Sequence, residues 1–105
     1  MSRATLLACV TSCFLDAHSR TSEADVRDAQ SAILRAAERV EAARREVRLA
    51  EELEEAERTR YAQGDSQLLI VNLREQQTAE AELRAIDARL DHQRAIADLR
   101  AARGE

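Results

Sequence analysis

Val26, Ile33, Val40 and Val47 recur at intervals of seven, and Ala29, Ala36, Ala43 and Ala50 repeat the same interval three residues later. A seven-residue spacing puts each set on one stripe of an α-helix, and two offset sets are the seam positions of a coiled coil. One seam position holds β-branched residues and the other holds Ala, whose short side chain lets a neighbouring helix approach closely. Composition points the same way. The 105 residues include one Phe, one Tyr, no Trp and no Pro, while 34% are charged. That profile suits long helices better than the aromatic-containing core of a globular enzyme.

The repeat predicts a first helix from about Ser22 to Tyr61, roughly 60 Å long at 1.5 Å per residue. Thr21 or Ser22 is the expected N-cap, with Glu23 and Asp25 in the favourable first turn. Beyond Ala50 we expect the spacing to shift through Leu53 and Ala56 to Tyr61, leaving Glu51, Glu52, Glu54, Glu55 and Glu57 to solvent. Gly64 is placed to end this helix in the left-handed conformation that Gly adopts at little cost. Residues 62–65 then form a turn, and Asp65 or Ser66 caps a second helix over 66–103. The Leu68-Leu69-Ile70-Val71 run could stand alone as a strand, but the thirty residues after it are helical in pattern and lack a turn signal.

The second arm carries two apolar stripes. Leu83, Ile86, Leu90 and Ala97 form one, and Ala81, Ala88, Ala95 and Ala102, joined by Ala85 and Leu99, form another. A two-stranded hairpin uses only one stripe per helix, so the second implies neighbours on both flanks. The expected fold is therefore all-α: a long antiparallel helical hairpin or coiled coil that belongs to a larger helical barrel or an oligomer.

Residues 1–20 read as a separate extension, poorly ordered or a short helix. Ala4 to Leu15 is mildly apolar but is interrupted by Thr5, Thr11 and Ser12, and no small-x-small cleavage site follows, so a signal peptide is not expected. The run is also too short to span a bilayer. Cys9 and Cys13 stand one helical turn apart with His18 nearby, a set that does not complete a zinc site.

Other chemistry is sparse. Glu75, Glu80, Glu82 and Asp87 could be drawn as a carboxylate cluster, but on an exposed helix such charges pair with neighbours such as Arg84 and Arg89. His92, between Ala85 and Leu99 in the heptad, reads as an interface or solvent-facing residue. No nucleophile-and-base arrangement stands out on one extended hairpin, so no enzyme, cofactor or metal is expected. A net charge of −4 and a single Tyr argue against nucleic acid as partner.

Arg60-Tyr61-x-x-Gly64, then Leu69-x-Val71, Arg74-Glu75-Gln76 and the Ala-rich heptads through Ile86-Asp87-Ala88 to Leu99-Arg100-Ala101-Ala102, carry a resemblance. From about Val26 to Ala102 the chain resembles the last helical hairpin of the TolC family of bacterial outer-membrane efflux proteins, in which RYxxGxxxLLxVLxAQ is common. The resemblance implies a periplasmic α-helical barrel in a trimeric assembly, serving as the exit duct of a tripartite pump in the outer membrane and periplasm. Carried over by position, it makes Tyr61 a periplasmic gate residue, and Gln63, Gly64 and Asp65 the turn that docks the periplasmic adaptor. Gln63 and Asp65 are more polar than the family's usual residues there. The outer-membrane strands and the partner hairpin are not found, so the resemblance is to a fragment. The other expectation is a freestanding oligomeric coiled-coil scaffold or adaptor with no transport role.

Overall fold

The computed structural model describes residues 3–105, apart from the side chains of residues 17–21. Among the described residues two helices form: α1, Arg3–Ala62, and α2, Leu68–Ala102. They pack antiparallel in a rod 93 Å long and 19 × 15 Å across. With 60 residues in α1 and 35 in α2, roughly the first 25 residues of α1 project beyond the end of α2. None of the described helices is long and apolar enough to cross a membrane.

The heptad seam of α1 forms as the spacing requires. Ala36 is fully buried, and Val40, Ala43 and Ala88 form one buried cluster with Ala85 packed against it. One heptad to either side of Ala43 and Ala88, Ala36 comes level with Ala95 and Ala50 with Ala81. Between these Ala–Ala layers lie Val47 level with Ala85 and Val40 level with His92, which is half-buried between the arms. The Ala stripe of α2 therefore faces α1, and the Leu stripe is left outside. Ala wins this face because contact between Ala residues lets the two backbones approach closely.

Three expectations are corrected. First, α1 starts at Arg3 and runs on through residue 22, so the extension over 1–20 is not a separate element. No Gly or Pro interrupts it. The expected cap Thr21 lies among the side chains outside the description.

Second, the seam does not shift after Ala50. The alternating four- and three-residue steps continue through Glu54 and Glu57, and Glu57 is 5% exposed. Leu53 and Tyr61 stay on the surface instead. The carboxylates hold seam positions because donors reach them: Ser66 Oγ donates to Glu57, Arg60 lies 3.5 Å from it, and Arg58 donates to Glu54 at 2.7 Å.

Third, the N-cap of α2 is Gln67, in extended conformation and with no side-chain capping bond, in place of Asp65 or Ser66. The Ser66 hydroxyl is engaged by Glu57 across the turn. The helices end and begin accordingly at Ala62 and Leu68, against the expected Tyr61 and Ser66.

Candidate docking tip and lateral stripe

The tip is built by the backbone of α1 as it ends. Gly64 has φ of +83°, and its N–H donates to the Tyr61 carbonyl at 3.0 Å, while the Asp65 N–H donates to the Arg60 carbonyl at 2.9 Å. These two bonds are a Schellman motif, which satisfies carbonyls that a helix end otherwise leaves without partners. The Arg60 guanidinium adds a bond to the Asp65 carbonyl at 3.2 Å. The chain's other glycine does the same work at the end of α2, where Gly104 has φ of +81° and donates to Ala101.

Gln63, Gly64 and Asp65 are all exposed, and no atom lies within 4 Å of the place a Gly64 Cβ would occupy. Tyr61 stands one turn back with 45% of its surface exposed. The four residues singled out in the sequence are thus brought to one end of the rod, on an open face. Behind them Val71 is buried, and the next layer of the seam is polar: Arg74 lies level with Glu57, and Thr78 is buried and donates to the Arg74 carbonyl at 3.1 Å. Arg74 donates to Gln77 at 3.0 Å, and its Nε is buried with no hydrogen-bond partner. Sequence reasoning missed this polar layer. The signal lies in the unbroken step from Ala50 to Glu54 and Glu57, and the charge of those two residues masks it.

The carboxylates of α2 do not gather. Glu75 accepts from Arg58 at 2.8 Å and Glu80 from Gln76 at 3.2 Å, while Arg84 reaches across to Glu46 at 3.3 Å. Among the described residues no three His, Cys, Asp or Glu side chains converge. Cys9 and Cys13 are free and exposed, and the His18 side chain lies outside the description. The grooves beside the seam are shallow strips between the arms, one of them lined by Arg44, Val47, Glu82, Ile86 and Arg89.

The second surface is lateral. Leu83 is 62% exposed and Leu90 49% exposed, on the face of α2 turned away from α1. Leu69, two heptads before Leu83, extends the same stripe, with Leu73 and Ile86 beside it. Such a run of branched side chains in water is the kind of patch that marks an interaction surface. Comparison with models of protein families, with curated proteins and with solved structures returns no match to this chain.

Proposed function

We propose that this hairpin supplies the periplasmic tip of a TolC-like export duct, with Gly64 and its neighbours docking a periplasmic adaptor and Tyr61 lining the entrance. The observation that carries the proposal is the exposed Schellman tip at the end of a rigid hairpin whose outer α2 face stays apolar. The tip presents backbone and the polar side chains of Gln63 and Asp65 to a partner, while the lateral stripe offers contact to neighbouring helices. In this reading the chain works in the periplasm as part of an oligomer, with the membrane-embedded strands supplied outside these 105 residues. It has no catalytic role.

A photo-crosslinking residue at Gln63 or Asp65, introduced in cells that assemble a tripartite pump, tests it. The expected product joins this chain to the adaptor's helical hairpin, and Gly64→Ala should reduce its yield. Adaptor-free products at both positions would refute docking. They would favour the second reading, an oligomeric coiled-coil scaffold, which has its own support in the projecting start of α1 with Leu7, Val10 and Phe14 exposed.

A further inference from the structure

One row of α1 carries its charges in an order that is complementary to itself read backward. Each member follows a seam residue by one position, so the row lies on a flank of the rod, where Arg44 and Arg48 border a groove with Glu82 and Arg89. From Ala37 it steps by four and three through Glu41, Arg44, Arg48, Glu51, Glu55 and Arg58 to Ala62. Turned end for end, it sets Glu41 against Arg58, Arg44 against Glu55, Arg48 against Glu51 and Ala37 against Ala62. All six charged side chains are exposed. The hairpin itself does little for them. Arg58 reaches Glu75 across the arms at 2.8 Å, but one and two heptads farther from the tip Glu51 comes level with Glu82 and Arg44 with Arg89, like charge beside like. Among the described residues Arg48, Glu51 and Glu55 make no ion pair.

Stacking this flank on its own copy has two symmetric solutions, and charge separates them. With the rods parallel, α1 lies over the α2 of the second copy. Arg44 then meets Arg89 and Glu51 meets Glu82, with Arg58 over Glu75 as the exception. With the rods antiparallel about a two-fold axis between Leu49 and Ala50, α1 lies over α1 from Ala37 to Ala62, roughly 38 Å at 1.5 Å per residue. Every charge of the row then meets its opposite, and Arg45 comes beside Glu52 at the outer edge. On α2 the same axis brings Glu75 level with Arg89 and leaves Glu82 beside its own counterpart, the one like pair on this flank.

We infer that this flank is the interface of a closed, antiparallel two-fold dimer, held by the charge row of α1 meeting the same row in a second copy. A parallel stack of α1 on α1 shifted by one heptad also opposes Arg44 and Glu51, but it leaves part of each row unmatched and propagates into filaments, whereas the two-fold closes. Exposed ion pairs contribute little singly, so the dimer depends on the whole row and weakens as salt screens it. The pairing sends the two tips to opposite ends. It describes the hairpin by itself and does not rest on the duct reading.

Sedimentation equilibrium of the intact chain at about 100 µM, in about 20 mM and about 1 M salt, tests the inference. A dimer is expected at low salt, with at least about a tenfold loss of affinity at high salt. The variant Arg44→Glu, Arg45→Glu, Arg48→Glu and the variant Glu51→Arg, Glu52→Arg, Glu55→Arg should each be monomeric with helical circular dichroism retained. Mixed together they should form a heterodimer, because every contact of the row is then opposed again. In a Cys9→Ser, Cys13→Ser background, Ala37→Cys should cross-link with Ala62→Cys and neither with itself. Cross-linking of Ala37→Cys with Ile96→Cys instead would show the parallel pair. That result, a monomer at low salt, association that survives high salt, or growth beyond the dimer overturns the inference. No adaptor enters the experiment, so its failure leaves the docking proposal untouched.

Discussion

Replacing Gly64 by Ala isolates the contribution of one backbone conformation. The site is open, with nothing within 4 Å of the new Cβ, so no steric clash contributes. What remains is the φ of +83°, a conformation that costs an L-residue roughly 1–2 kcal/mol. Restricting the unfolded chain offsets about 0.4–1 kcal/mol of this. The net loss is about 1 kcal/mol, or roughly 4–8 °C in Tm for a chain of this size. Gly104 has nearly the same φ, +81°, and an equally open site, but it lies past the last turn of α2 and not between the two arms of the hairpin. Gly104→Ala should therefore change stability by less than about 0.5 kcal/mol. Thermal unfolding followed at 222 nm, at one protein concentration because self-association raises apparent stability, compares the two variants directly. Equal shifts, or no shift for Gly64→Ala, would refute the view that the tip turn sets the geometry of the hairpin. Gly64→Asn, which tolerates the left-handed region better, should fall between Gly and Ala.

Glu57→Ala should cost about 1–3 kcal/mol in urea unfolding, because it deprives Ser66 and Arg60 of their acceptor, whereas Glu52→Ala on the exposed face should change little. Ala81→Leu should cost about 1–3 kcal/mol by forcing the arms apart at a layer where Ala81 is almost wholly buried, as measured by the same unfolding. Removing residues 1–16 should leave Tm within about 2 °C, since the described part of that segment is exposed throughout, while the hydrodynamic length falls. A large loss of stability would show that the projecting arm folds back on the hairpin.

Much of this fold was legible in residue spacing. Val26, Ile33, Val40 and Val47 with their Ala partners marked the seam of α1, and Gly64 marked the turn, because both follow from short-range geometry. The Glu pair at 54 and 57 was misread, since a carboxylate declares its preference for water but not the donors the fold will bring to it; Ser66 and Arg58 become such donors only once the chain has turned. The cap was misassigned for the same reason. Ser66 is a good capping residue by type, yet its hydroxyl is drawn to Glu57, which leaves Gln67 to start α2. Two stripes on α2 were visible, but which one faces α1 depended on how closely two backbones can pack, and that is decided by the partner.

The charged layer at Glu57 and Arg74 has a consequence for uniqueness. A ladder of alanines every seven residues is degenerate: sliding α2 along α1 by one heptad matches Ala to Ala almost as well. Such a slip would bring Ala81 opposite Glu57 in one direction, or Arg74 opposite Ala50 in the other, and would separate Glu57 from the hydroxyl of Ser66. It would bury a charge without its donors, a penalty of several kcal/mol against a loss of little apolar contact. The polar layer thus fixes the register of the hairpin, much as a single buried polar residue does in a coiled coil.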